Sequence, residues 1–302
     1  MTERQTLSYL QQRFAAAHIQ PQTRFGQNFL VDLNLVELIA RTAELTPRDV
    51  VLEVGTGMGS LTTIMAAQAG HVVTVEIDRY LAPMARAEFA SLSNVTLLEQ
   101  DALRNKNSLH QEVIETLRTK VGEIPGGRLK LVANLPYNVA TPILSNLLDI
   151  DPWPTRMVAT IQRELAERIV AKPRSKNYSA LSVWIQAQCQ TEIVRIMPPS
   201  VFWPRPKVES AILDIRPQKV LRRRIRRPDE FHSTVRGIFQ HRRKFLRSAL
   251  YSYVKDRLSK EDVDSVLMAL ALEGSARAEE LTPQQMLDLS DKIGETVANK
   301  SE

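Results

Sequence analysis

Apolar residues recur at helical and strand spacings along most of the chain. Leu7, Leu10 and Phe14, three and four apart, predict an amphipathic helix within residues 1–22. Asp32 is suited to cap a second helix whose apolar face carries Leu35, Val36, Ile39 and Ala43. Short apolar runs then alternate with helical patterns. Val50–Val54 reads as a buried strand, followed by a glycine-rich turn and a helix from about Ser60 to Ala69. Val72–Ile77, Val95–Gln100, Leu129–Ala133 and Met157–Ile161 read as further strands. Helices are expected around Leu81–Ala90 and Pro142–Leu148, with a polar, glycine-containing connection near Pro125–Arg128. This alternation predicts βαβ units and a mostly parallel sheet. Glu192–Met197 and Glu209–Ile215 are two strand candidates separated only by the proline-rich PPSVFWPRPK, which predicts an antiparallel pair at the sheet edge.

Beyond Arg227 the pattern is helical throughout. Phe231–Val254 reads as one long helix, and Ser259 and Asp262 open another reaching about Leu272. Thr282-Pro283-Gln284-Gln285 opens a third, with a cap, a proline at the first helical position and a glutamine three residues on. The expected fold class is α/β, a Rossmann-like sheet followed by a small all-helical C-terminal domain. The expected domains are an N-terminal helical extension over 1–22, a catalytic domain over 23–220 and a basic helical domain over 221–302.

Composition narrows the setting. The chain has 302 residues, 43% of them hydrophobic, so it is long enough for a substantial core. The single cysteine, Cys189, excludes an internal disulfide and any cysteine-based zinc site within one chain, and no metal is expected. Between Glu53 and Glu76 lie 22 residues without a charge, but four glycines and several polar residues interrupt them, so a membrane span is not expected. The stretch MTERQTLSYLQQRF has no apolar run of signal-peptide length, and a cytoplasmic protein is expected.

Charge is uneven. Lys and Arg number 40 against 34 Asp and Glu, a net +6. From Arg222 to Arg247 ten Lys/Arg face two acids, Asp229 and Glu230, so this segment carries +8 and the remainder −2. Such a stripe suggests a polyanionic partner. Arg222, Arg223, Arg242, Arg243, Lys244 and Arg247 are the candidate RNA contacts, with Arg243 and Arg247 one turn apart if the helix is continuous and some of the charges pairing with Asp229 or Glu230.

Two segments carry candidate chemistry. In Glu53-Val54-Gly55-Thr56-Gly57-Met58-Gly59 a strand runs into glycines and then a helix, an arrangement that lets backbone approach a ligand. Glu76 follows at the end of the next strand, where a carboxylate can accept both hydroxyls of a ribose. Ser60 stands where a dinucleotide fingerprint needs its third glycine. The G-x-G-x-G pattern with Glu53 two residues before it fits S-adenosylmethionine better, because a sulfonium has no pyrophosphate to cradle. Asp101 is placed to accept from an adenine amino group. Asn134-Leu135-Pro136-Tyr137 follows the fourth strand. An adenine amino group is a poor nucleophile because its lone pair is delocalised into the ring. The Asn134 side-chain oxygen and the Leu135 carbonyl can each accept one of its N–H groups, freeing the lone pair and stabilising the charge that develops on nitrogen. Tyr137 offers a face for the base, and Phe202 is the candidate clamp on the other.

Taken in order, these segments resemble the small-subunit ribosomal RNA adenine dimethylases, the KsgA/RsmA group. The resemblance runs from about Arg24 to Leu250. It includes Arg24-Phe25-Gly26-Gln27-Asn28-Phe29-Leu30, the Glu53–Gly59 loop, Val75-Glu76-Ile77-Asp78, Gln100-Asp101-Ala102 and Asn134-Leu135-Pro136-Tyr137-Asn138. Further on come Ile161-Gln162-Arg163-Glu164, Pro198-Pro199-Ser200-Val201-Phe202, Pro206-Lys207-Val208 and Gln240-His241-Arg242-Arg243-Lys244. The resemblance implies that Asn28, Leu30, Gly55, Glu76, Asp101 and Asn134 contact S-adenosyl-L-methionine, and that Asn134, Leu135, Tyr137 and Phe202 serve the transfer. It implies two methyls on each of two adjacent adenosines near the 3′ end of 16S RNA, in an assembling small subunit, by a monomer. Thr56 stands where the group has proline, Ser179 where it usually has glycine, and the stretch from Asp101 to Asn134 is about ten residues longer than is typical of the group. The alternatives are an erythromycin-resistance-type enzyme acting on 23S RNA, a DNA adenine methyltransferase, disfavoured by Leu135 in place of a proline, and a non-catalytic assembly factor.

Overall fold

The computed structural model of the chain describes residues 6–300. Its first helix, α1 (Leu7–Ala16), begins at Thr6, whose hydroxyl accepts from the Tyr9 amide, and buries Leu10 and Phe14. A short strand β1 (Phe29–Leu30) leads to α2 (Leu33–Thr42), capped as its sequence predicts: Asp32 Oδ1 accepts from the amides of Asn34 and Leu35. The alternation follows with β2 (Asp49–Val54), α3 (Ser60–Ala66), β3 (His71–Val75), α4 (Leu81–Glu88) and β4 (Val95–Leu98). All six residues of β2 are buried, as a strand covered on both faces requires.

The stretch after Asp101, long for the group and assigned no element from sequence before Pro125, is largely ordered structure. A hairpin, β5 (Leu103–Asn105) and β6 (Ser108–Leu109), precedes a three-turn helix, α5 (Gln111–Glu123). Val113 and Leu117 bury one face of α5 completely, and the Ile124 side chain beyond it closes on Gly70. Helix α5 is the crossover between β4 and the next strand, β7 (Arg128–Asn134). Helix α6 (Ala140–Asn146), strand β8 (Arg156–Gln162), α7 (Arg163–Val170) and α8 (Ala180–Gln186) come next. The last strands are β9 (Cys189–Met197), β10 (Phe202–Trp203) and β11 (Ser210–Pro217).

Seven strands form one sheet in the order β4-β3-β2-β7-β8-β11-β9. The pairs β2–β3, β3–β4, β2–β7 and β7–β8 are parallel, and β11 runs antiparallel to β8. The two late strands occupy the edge, as their proline-rich connection predicts. Strand order reverses between β2 and β7, so the loops leaving their carboxyl ends diverge and open a crevice. Short β10 leaves this sheet and pairs with β1, Phe202 opposite Leu30. Between β8 and β11 the Asp214 carboxylate, fully buried, takes a bidentate pair from Arg156 at 3.0 and 2.8 Å.

The chain divides into two units. The first comprises the sheet region up to Ala166 with Glu192–Pro217; the second comprises Glu167–Thr191 and Gln218–Glu302. The second contains α8 with α9 (Lys219–Arg222), α10 (Pro228–Phe239), α11 (Leu246–Val254), α12 (Lys260–Ala269) and α13 (Pro283–Ala298). Thr282 and Gln285 form the predicted reciprocal cap of α13. Tyr178, fully buried, donates its hydroxyl to the Leu281 carbonyl at 2.9 Å.

The single long helix expected over Phe231–Val254 is two helices. The chain leaves α10 at Gln240, turns through Arg242–Lys244, and re-enters at Leu246, whose amide is held by the Ala276 carbonyl at 2.7 Å. The break lets α11 fold back so that both apolar faces are buried, Val235 and Ile238 on one and Leu246, Ala249, Leu250 and Val254 on the other. Gly237 permits the close approach: a Cβ there would fall 2.2 Å from the Tyr253 ring. Arg243 and Arg247 consequently do not share one helical face. No helix among the described residues is long and apolar enough to cross a membrane.

Candidate active site

A cavity lies at the carboxyl ends of β2, β3, β4 and β7. Gly55, Gly57, Glu76, Gln100, Asp101, Asn134, Leu135 and Tyr137 all line it, with Phe25 and Asn28 from the segment before β1. The first residue after β2, Gly55, has φ +85° and lies against the Pro136 ring, where a Cβ would sit 3.2 Å from two ring carbons. A residue with a side chain here meets both a left-handed backbone and the Asn-Leu-Pro-Tyr turn.

Glu76 fixes the glycine loop from below. Its Oε2 accepts from the Gly57 amide and its Oε1 from the Asp78 amide, each at 2.9 Å. Burial pushes its carboxyl up to about 7 despite those donors, with neighbouring Asp78 adding to the rise. Glu53 does not line the cavity. It is 1% exposed beneath the loop, where one oxygen accepts the hydroxyls of Thr62 on α3 and Thr74 on β3. Burial raises this carboxyl to about 8. Thr74 in turn meets the Thr56 hydroxyl at 2.6 Å. Thr56, unusual for a proline position, therefore joins the glycine loop to β3 by a side-chain bond that proline lacks.

Asn134 ends β7 and donates Nδ2–H to the Asn28 carbonyl at 2.8 Å. A carbonyl partner accepts only from the amide nitrogen, so the Asn134 side-chain oxygen is the end left for a ligand. Asn28 in turn donates its own Nδ2 to the Gly26 carbonyl. Leu135 is buried and its amide donates to the Thr160 carbonyl on β8, which leaves its own carbonyl outside the sheet ladder. The Tyr137 hydroxyl shares a 2.6 Å hydrogen bond with Ser210 Oγ on β11, and burial raises its pKa. Asp101 uses Oδ1 to accept from the Leu103 amide, capping the hairpin that follows.

Two expected site residues do not line the main cavity. Leu30 lines a smaller apolar cavity that also touches Gly57 and Asn134. Phe202 lines neither cavity: it is 3% exposed and packs in the core beside Leu30 and Val36, because β10 pairs with β1 and turns that ring inward. Its neighbour Trp203 stacks edge-on against Phe14 at 5.1 Å. Conversely, Phe25 lines the main cavity with the Arg24 guanidinium 4.5 Å over its ring. Ser210 was not singled out by sequence, and Gln100 entered only within the Gln100-Asp101-Ala102 segment of the resemblance, with no role assigned to it.

In the second unit the six candidate RNA contacts separate by partner. Arg222 binds the Gln188 side chain, Arg242 pairs with Glu279 and Arg247 pairs bidentately with Asp264. These partners are not Asp229 and Glu230; Glu230 pairs with Arg227 at 3.1 Å. Arg223, Arg243 and Lys244 have no ion pair among the described residues.

The sequence matches the ribosomal RNA adenine dimethylase family over residues 19–294. A ribosomal RNA small subunit methyltransferase A from Ligilactobacillus salivarius is 39% identical over 269 residues, 89% of this chain and 88% of its own length. One from Alkaliphilus metalliredigens is 38% identical over 268 residues, 89% and 90% of the two chains. In fold, the chain resembles a dimethyladenosine transferase from Plasmodium falciparum, with TM-score 0.74, 23% identity and coverage of 88% and 97%. It also resembles the 23S rRNA methyltransferase ErmE, with TM-score 0.61, 26% identity and coverage of 88% and 100%. S-adenosyl-L-methionine is the cofactor such enzymes use, and the cavity fits it: a glycine-lined floor without a phosphate cradle, a carboxylate at the end of β3, a second carboxylate after β4, and a buried Gln100 amide nitrogen with no acceptor in the protein. The chain belongs to the ribosomal RNA adenine dimethylase family.

Proposed function

We propose that the chain dimethylates the 6-amino groups of two adjacent adenosines in the 3′-terminal hairpin of 16S RNA, acting as a cytoplasmic monomer on assembling small subunits. The observation that carries this reading is the Asn134–Asn28 bond, which occupies the Asn134 amide nitrogen and leaves its oxygen for a substrate in the cavity that Leu135 and Tyr137 also line. S-adenosyl-L-methionine supplies an electrophilic methyl group. Asn28, Leu30, Gly55, Glu76, Asp101 and Asn134 hold that donor in this reading, with Glu76 taking the ribose hydroxyls.

The two acceptors at Asn134 and Leu135 draw on the N–H groups of the target amine and localise its lone pair on nitrogen. Tyr137 stacks on the base, its ring angle set by Ser210. No carboxylate is needed as a base, because the amine proton becomes acidic once the methyl has transferred. Phe202 takes no direct part, since its ring is packed in the core. Arg223, Arg243 and Lys244 meet RNA phosphates.

The test is transfer of labelled methyl groups to small-subunit particles from a strain lacking this modification, followed by mass spectrometry of 16S digests. Dimethyladenosine at two neighbouring positions supports the reading. The likeness to ErmE keeps a second reading in view. Transfer to 23S RNA in the same assay, with none to 16S RNA, replaces the first by the second.

A further inference from the structure

Gln100 stands just beyond β4, beside Asp101, and lines the main cavity. Its Nε2 is shielded from solvent and has no hydrogen-bond partner in the protein. Leaving a buried amide donor unmade is costly, so native proteins rarely keep one unless a ligand or water completes it. Among the described residues, the other buried side-chain atoms in this state, on Arg13, His110, Thr160 and Trp184, belong to residues that do not line the cavity.

Among the described residues, the other buried or half-buried side-chain donors around the cavity each have a partner in the protein, while the Asn138 amide is exposed. Gln27 donates to Asp78, Asn28 to Gly26 and Asn134 to Asn28, while the Tyr137 hydroxyl is paired with Ser210. Among these side chains only Gln100 has a buried N–H free for whatever fills the space. Glu76 and Asp101, when ionised, can only accept. They suit ribose hydroxyls and an exocyclic amine, but they cannot read the ring nitrogens of adenine, which are themselves acceptors.

On the reading that the cavity holds S-adenosyl-L-methionine, we infer that Gln100 is a cofactor-recognising residue that donates Nε2–H to a ring nitrogen of the adenine. Asp101 and Gln100, adjacent in sequence, then form an acceptor–donor couple complementary to a donor–acceptor edge of adenine. A 6-oxo purine presents an acceptor where Asp101 needs a donor, and the couple disfavours it.

Calorimetry with the full chain and S-adenosylhomocysteine tests this, using wild type, Gln100→Ala and Gln100→Glu and the 1-deaza, 3-deaza and 7-deaza forms of the ligand. One deaza ligand should bind wild type about three- to tenfold more weakly than the parent, and the same ligand and the parent should bind Gln100→Ala equally. The parent should lose a similar factor on Gln100→Ala, and at least as much on Gln100→Glu, which replaces the donor with an acceptor. The inference is overturned if wild type binds all three deaza ligands like the parent, a result that needs no variant to fold. It is equally overturned if Gln100→Glu binds like wild type, or if the deaza penalty survives in Gln100→Ala. Failure of wild type to bind S-adenosylhomocysteine at all overturns the cofactor reading itself, and this inference with it.

Discussion

Asn134 Nδ2 and the Asn28 carbonyl, 106 residues apart, meet at 2.8 Å across the cavity wall. The bond joins the end of β7 to the segment before β1 and leaves only the oxygen end of the Asn134 amide for a ligand. Asn134→Ala removes the acceptor and releases Asn28. Methyl transfer should fall about 10²–10³-fold, by analogy with removal of one preorganised group at a charge-developing atom. Affinity for S-adenosylhomocysteine should stay within roughly tenfold. Single-turnover rates beside calorimetry separate the two; near-normal turnover would assign the orientation of the amine to another residue.

Tyr137 and Ser210 give a double-mutant cycle. Tyr137→Phe and Ser210→Ala each break the same 2.6 Å bond, so each should raise KM for the RNA particle with little change in cofactor affinity. Their effects should not add, and the coupling should be about 0.5–1.5 kcal/mol. Additive losses would mean that the hydroxyl does not steer the ring.

Glu76→Ala should weaken S-adenosylhomocysteine binding by about 1.5–3 kcal/mol through loss of charge-assisted bonds, with the fold retained. Because burial holds the carboxyl near 7, only part of the free protein carries the charge at neutral pH. Affinity should therefore rise from pH 6 to pH 8, and Glu76→Gln should flatten that rise. A pH-independent wild-type affinity would contradict the assignment.

Stability should follow the opposite course. Glu53 and Glu76 keep protons in the folded chain that the unfolded chain releases above about 4.5. Their contribution is complete below that pH and is lost as pH rises through about 7 and then 8. The ligand-free melting temperature should fall between pH 6 and pH 9, and Glu53→Gln should reduce the drop. Melting curves with the pH as the only variable are the measurement.

Charge removal in the second unit should distinguish free from paired cations. Removing Arg223, Arg243 and Lys244 together should weaken binding to small-subunit precursors. The salt slope should drop by roughly 0.7–0.9 for each phosphate that is no longer neutralised. Arg242→Ala and Arg247→Ala should instead act mainly by freeing Glu279 and Asp264. Cofactor affinity should not move in any of them. An unchanged salt slope in the triple variant would make these three a solvated face.

Local features were legible in the sequence. The apolar run of β2, the Asp32 cap, the Thr282 cap and the glycine loop each depend on residues within a few positions of one another. What was missed depends on distant partners. Arg242 finds Glu279 and Arg247 finds Asp264, while Asp229 and Glu230, their neighbours in sequence, do not serve them. Helical periodicity continues from Phe231 to Val254, and only the return of α11 onto Gly237 shows why the chain must break between. Val113 and Leu117 carried a helical spacing inside a stretch to which no element was assigned, because charged residues around them masked it. Phe202 has the residue type of a base clamp, and its pairing with Leu30 alone puts it in the core.

Thr56, Thr74, Glu53 and Thr62 tie the glycine loop to β3 and α3 through side chains that do not line the main cavity. With Gly57 already bonded to Glu76, the loop holds its shape before any cofactor arrives. The entropy of ordering it is then spent during folding and is absent from the binding equilibrium. Cofactor capture by such a loop is an encounter with a rigid rim, so substitutions at Thr56 or Thr74 should show first as faster cofactor release, with the rate of capture little changed.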